Sequence, residues 1–206
     1  MKNNRTVVGW LFWPFKYIAG TKALAIGIVA MILISIFGYL GNVFFNGVIG
    51  PNIAATGVSS PYIVHAIMQI SALFSLTLVF YITARIVSKS SVRLIDIAGT
   101  MALSQAPFIL VALAGLIPAT HLDIASMNTV GLEGFIQIIE DNIVMITLIS
   151  ILSILIIVWT VALKYNAYTI SANIRGAKAI VSFIVAIIIS EILARIINYI
   201  IINTIC

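Results

Sequence analysis

Two charged side chains lie four residues apart inside an apolar segment near the C-terminus. Glu191 and Arg195 interrupt residues 179–202, which otherwise consist mainly of Ile, Val, Ala and Phe. On a helix both side chains share one face, with the acid first, which is the favourable order for an ion pair. An isolated charge at the centre of a bilayer costs about 2.5–3.5 kcal/mol on insertion scales. The pair is either a structural ion pair that fixes the helix register or a site for a substrate or a proton.

Other polar residues are candidates for the same intramembrane cluster. Asn198 lies three residues beyond Arg195 and can extend its face. Pro107 has no N–H to donate, and its ring frees the carbonyl of Leu103 one turn earlier. Within lipid, such a carbonyl must be satisfied by protein or water. One interpretation is that Gln105 and this carbonyl are hydrogen-bond partners for Arg195. The other is that Pro107 produces a kink that only shapes the bundle.

His65 and Gln69 form a weaker candidate pair. They are four residues apart and share a helix face, with His65 about one turn from the outer end of its apolar segment. A histidine at the membrane boundary is the first interpretation, and a pH sensor is the second.

The residues needed for most enzyme chemistry are absent from the sequence. Two distant histidines and one terminal cysteine do not make a His/Cys metal site, and no H-E-x-x-H, G-x-S-x-G or Walker motif occurs. Glu191 is the single acid within the apolar segments, so no paired-carboxylate site is visible. We expect no enzyme activity, no metal and no cofactor. The basic residues do not form a stripe interleaved with aromatics, so nucleic-acid binding is not expected.

The elements that must position these residues are transmembrane helices. Of 206 residues, 62% are hydrophobic and 8% are charged, against about 25% charged residues in soluble domains. Residues 1–22 are predicted to be a cytoplasmic or interfacial segment, with an anchor at 7–19, and residues 23–206 an all-α transmembrane domain. Residues 118–142 are predicted to be a loop with one short interfacial helix. Five segments are long enough to span about 30 Å of hydrocarbon: residues 23–45, 62–84, 98–117, 143–163 and 179–201.

The distribution of charge predicts the orientation of the bundle. With five crossings, ten of the eleven Lys and Arg residues fall on one side, and the loop between the third and fourth spans carries only acids. Basic loops remain cytoplasmic. The N-terminus is therefore predicted inside and the C-terminus outside.

Pairs of small residues predict where helices meet. Three such pairs stand at four-residue spacing, which permits close backbone approach and interhelical hydrogen bonds: Ala23 and Gly27, Ser71 and Ser75, and Ala102 and Ala106.

Four segments carry a resemblance to a known family. They are G-W-L-F-W-P-F (9–15), D-I-A-G-T-M-A-L-S-Q-A-P (96–107), W-T-V-A-L-K-Y-N-A-Y (159–168) and A-N-I-R-G-A-K-A-I (172–180). With the predicted spans, this pattern resembles the YIP family, the Ypt/Rab-interacting proteins and their prokaryotic relatives. The resemblance implies five spans, a cytosolic N-terminus and no catalysis. The chain lacks the acidic-Leu-Tyr-Gly-Pro segment of eukaryotic members, so no GTPase role and no site residue are carried over.

Two hypotheses about function follow. The first is a non-enzymatic integral membrane protein of the YIP type, in a prokaryotic plasma membrane. It would act through helix–helix contacts and membrane lipids, with other membrane proteins or itself as possible partners. The alternative is a small permease or channel component, with Glu191, Arg195 and Gln105 along its path.

Overall fold

The computed structural model describes residues 7–53, 60–117 and 127–205, and these are almost entirely helical. Within these ranges, seven helices, one 3₁₀ turn and one short hairpin follow in this order: α1 (Val7–Phe12), the turn Pro14–Lys16, α2 (Gly20–Leu40), β1 (Val43–Phe44), β2 (Asn52–Ile53), α3 (Tyr62–Val87), α4 (Leu94–Ser104), α5 (Phe108–Ala114), α6 (Met127–Ala172) and α7 (Ala177–Ile205).

Five helical segments of the described chain are long and apolar enough to cross a membrane, which confirms the predicted number of spans. Their bounds are Gly20–Leu40, Tyr62–Val87, Leu94–Ala114, Gly131–Ala172 and Ala177–Thr204. The third combines α4 and α5, so Gln105 and Pro107 interrupt a span without ending it.

The first span is shorter than predicted, because α2 ends at Leu40 and not near residue 45. Asn42 adopts a left-handed conformation (φ 52°) and turns the chain back. Val43 then pairs with Ile53 in a two-stranded antiparallel hairpin. We call residues 41–53 the inserted loop, because Phe45 and Val48 within it are 4% and 0% exposed. Val48 belongs to the main hydrophobic core, together with residues of α3 and α7.

The prediction of a loop within residues 118–142 was wrong for residues 132–142, which belong to a long helix; the break at Gly131 separates residues 127–130 from it. After a break at Gly131 (φ 74°), α6 continues as one helix to Ala172. These 42 residues extend roughly 63 Å at 1.5 Å per residue, about twice the hydrocarbon thickness. The acids Glu133, Glu140 and Asp141 lie exposed on its first half. Residues 118–126 are outside the described residues.

The predicted small-residue contacts are confirmed where α2 crosses α4. A Cβ added at Gly27 would overlap Ala102, and one added at Gly99 would meet Ala23 at 3.3 Å. Between α3 and α7, the Ser71 hydroxyl donates to Asn198 and the Ser190 hydroxyl donates to the carbonyl of Ser75. Small residues therefore set the helix separations on both sides of the bundle.

The ends of several helices adjoin at one end of the bundle. The Ser88 hydroxyl after α3 donates to the carbonyl of Ala172 at the end of α6 (2.6 Å). The hydroxyls of Thr100 and Ser171 lie 2.9 Å apart. We call this the basic end, because six bases lie at or next to these helix ends: Lys22, Arg85, Lys89, Arg93, Arg175 and Lys178.

Candidate functional site

The predicted ion pair is present, and it occupies the middle of α7. Glu191 is the fifteenth of the 29 residues of this helix. Its Oε1 accepts a hydrogen bond from Nε of Arg195 at 2.6 Å, and the carboxylate side chain is 14% exposed. Four-residue spacing on a helix brings the two side chains together, as the sequence predicted.

The inserted loop supplies the other partners of Glu191. The backbone N–H groups of Val48 and Ile49 both donate to Oε2, at 2.6 and 3.0 Å. A Cβ added at Gly47 would overlap both carboxylate oxygens. Glycine is thus the residue that allows the backbone to approach so closely. Three donors from two parts of the chain therefore hold this carboxylate in one position.

The Arg195 side chain is 52% exposed, so it does not lie in the bundle interior. The expected contact with Gln105 is also absent. Gln105 is 2% exposed, and its Oε1 has no hydrogen-bond partner among the described residues. The carbonyl of Leu103 accepts from Ala106 N–H at 3.1 Å, within the run of three-residue turns around Pro107. The group freed by the proline is satisfied locally, so it provides no site for Arg195.

Lys164 is the residue that sequence reasoning missed. It was assigned to the loop after the fourth span, but α6 continues for eight further residues and places it inside the bundle. It is 0% exposed, and its Nζ has no hydrogen-bond partner in the described chain. Nζ lies 4.9 Å from the ring centroid of Phe108 and interacts electrostatically with Glu191. The signal in the sequence is the four-residue spacing of the apolar residues Leu163 and Ala167, which continues the helical pattern of the fourth span past Lys164.

Other buried polar atoms without described partners belong to residues within four positions of Lys164, Phe108 or Phe45 in the sequence. Thr160 lies one turn before Lys164 on α6, and its hydroxyl is buried and unpaired within the described ranges. Gln105 precedes Phe108 by three residues, and the Phe45 ring lies 5.5 Å from the Phe108 ring. Asn46 follows Phe45, and its Oδ1 is also buried without a described partner. We call Asn46, Gln105, Thr160, Lys164 and Glu191 the buried polar cluster.

The remaining candidates occupy other places. Asn198 is 0% exposed and accepts from Ser71 of α3, so it joins two helices rather than extending the Arg195 face. His65 is buried against the start of the inserted loop, with its ring 4.6 Å from Phe44 and 5.9 Å from Tyr39. Gln69 is 5% exposed and lines a cavity between α2 and α3.

An apolar groove of about 510 Å³ lies between the N-terminal segment and α4–α6. The segment is held there by hydrogen bonds from Trp159 Nε1 to the carbonyl of Leu11 (3.1 Å) and from Asn166 to that of Phe12 (2.9 Å). The groove lining includes Trp10, Leu11, Pro107, Leu110, Trp159 and Leu163.

Within residues 7–53, 60–117 and 127–205, no group of three or more His, Cys, Asp or Glu side chains is arranged to hold a metal. Comparison with models of known families, with curated proteins and with solved structures finds no match to this chain.

Proposed function

We propose that the protein is a non-enzymatic integral membrane protein of the YIP type that acts through helix–helix and lipid contacts. The bonding of Glu191 is the observation that carries this proposal. Its carboxylate is occupied by Val48, Ile49 and Arg195. An acid held in this way joins the inserted loop to α7, and three of the about four hydrogen bonds that a carboxylate can accept are already made within the protein.

The placement of the segments that carry the family resemblance supports the same proposal. Residues 9–15 contact residues 159–168 through the bonds from Trp159 and Asn166. The groove between them is also lined by Leu103, Ala106 and Pro107 of residues 96–107. Three of the four resembling segments thus meet at one apolar surface. A groove of this composition on a transmembrane bundle suits a lipid chain.

The proposal places the basic end in the cytoplasm of a prokaryotic cell, following the excess of Lys and Arg in cytoplasmic loops. The N-terminus would then be inside and the C-terminus outside.

The buried polar cluster favours a second candidate, a small permease or channel component. Buried polar groups without partners are uncommon inside a bundle and mark ion or solute paths in many membrane proteins. The inserted loop also brings backbone N–H groups to the middle of α7. Such non-helical backbone at membrane depth lines paths in channels and transporters.

Proteoliposome flux separates the two candidates. If the protein is structural, vesicles that contain it show no more halide, proton or alkali-cation flux than protein-free vesicles, and Glu191→Gln lowers thermal stability. If it is a permease, the wild type shows flux that Glu191→Gln or Lys164→Met removes while the protein remains folded. Such a flux would overturn the leading proposal.

A further inference from the structure

The charge of Lys164 is not balanced by the contacts around it. The buried polar cluster and Arg195 together contain two bases and one acid. Arg195 is bonded directly to Glu191, and Val48 and Ile49 occupy the second carboxylate oxygen. Among the described residues, Lys164 therefore has only the Phe108 ring and a longer-range interaction with Glu191. A buried ammonium group needs an anion or several acceptors to replace its hydration.

Thr160, Gln105 and Asn46 can each donate a hydrogen bond to such an anion. The hydroxyl of Thr160 rotates freely, and the O and N atoms of the Gln105 and Asn46 amides are interchangeable in position. Each has an unpartnered buried atom within the described chain. The ring contacts from Lys164 to Phe108 and from Phe108 to Phe45 join the chain segments that carry these donors.

We propose that Lys164 is the cationic centre of a buried site for one small monovalent anion of the halide type. Thr160, Gln105 and Asn46 provide the neutral donors of this site. One negative charge neutralises the excess positive charge of the cluster. Lys164, Thr160 and Gln105 are 0%, 0% and 2% exposed, and so buried a position favours a small ion over a bulky one. The proposal does not depend on the proposed function, because a bound anion can either stabilise the bundle or be transported.

Thermal unfolding of the full-length protein in detergent tests the site. Ionic strength is held constant with sodium gluconate, whose anion is much bulkier than a halide, and bromide replaces gluconate stepwise. We expect the wild-type Tm to rise and then saturate, because a ligand that binds the folded state stabilises it. Lys164→Met should remove this rise. Lys178→Met, which changes an exposed lysine at the basic end, should retain it.

Neighbouring variants and a second measurement make the result decisive. Thr160→Val should shift the midpoint of the rise to higher bromide, whereas Thr169→Val on the same helix should not, since Thr169 donates to the carbonyl of Asn166. If Lys164→Met does not fold, the deciding measurement is the line width of the chloride NMR signal in the presence of the wild-type protein. Protein-dependent broadening that bromide competes away supports the site. Absence of a Tm rise or of broadening in the wild type, or an equal Tm rise in Lys164→Met, overturns it.

Discussion

At the scale of single residues, the carboxylate of Glu191 determines where the inserted loop lies. Its three hydrogen bonds come from a neighbour on the same helix and from residues more than 140 positions earlier in the chain. Without this carboxylate, the backbone N–H groups of Val48 and Ile49 would lose their acceptor, and Val48 is part of the hydrophobic core. Buried donors of this kind are costly to leave unpaired.

Glu191→Gln should therefore destabilise the protein. Glutamine retains one acceptor oxygen, but its amide group cannot accept from both backbone N–H groups and Arg195. We expect a loss of about 1–3 kcal/mol in the free energy of unfolding, the usual cost of an unsatisfied buried group. The measurement is thermal or denaturant unfolding in detergent. Glu133→Gln, which changes an exposed acid of α6, is the matched control and should leave the stability unchanged.

Gly47→Ala should destabilise the protein through the same contact, because the new Cβ would overlap the Glu191 carboxylate. Forced overlaps in packed regions cost about 1–3 kcal/mol. A double-mutant cycle measures the coupling: Gly47→Ala should cost much less in a Glu191→Ala background, where the space is free. Equal costs in both backgrounds would show that the loop backbone and the carboxylate are not in contact.

At the scale of elements, hydropathy predicts where an apolar segment lies but not its backbone conformation. The five spans were found because their apolar windows exceed the required length. Val43, Phe44 and Phe45 extend the first window beyond Leu40, so a loop buried among helices was predicted as helix. The same limit applied to α6. Lys164 follows directly after the predicted fourth span, and its contact with Phe108 joins residues that are distant in sequence.

The candidate site was predicted only where its geometry is local. The Glu191–Arg195 pair follows from four-residue spacing on one helix and was confirmed. The bonds from Val48 and Ile49 depend on a loop that returns into the bundle, which no periodicity in the sequence indicates.

Gly27 on α2 gives a prediction about helix packing. Gly27→Val should separate α2 from α4, since even a Cβ at this position would overlap Ala102 and the backbone of Leu103. We expect a loss of about 1–3 kcal/mol, typical of overpacking. Ala25→Val adds a similar volume to an exposed face of the same helix and is the control. If both variants unfold at the same temperature, α2 and α4 do not pack through Gly27.

At the scale of the whole molecule, the positions of the helix ends connect the charge distribution to the orientation. Lys89 lies in the segment after α3 and Arg175 in the segment after α6. Hydrogen bonds from Ser88 to Ala172 and from Asn173 to Ser90 hold these segments together. Both bases must therefore face the same side of any membrane that the bundle crosses. The acids Glu133 and Glu140 lie on the opposite half of α6.

Cysteine labelling in oriented inside-out and right-side-out vesicles tests this arrangement. Cys206 is first changed to serine, and single cysteines then replace Lys89, Arg175 or Glu140. A membrane-impermeant maleimide should label positions 89 and 175 from one side and position 140 from the other. If the basic end is cytoplasmic, as proposed, positions 89 and 175 react only in inside-out vesicles. Reaction of both from the outside would reverse the proposed orientation and leave the fold intact. Reaction of 89 and 175 from opposite sides is incompatible with the fold itself, because the Ser88–Ala172 contact could not then form.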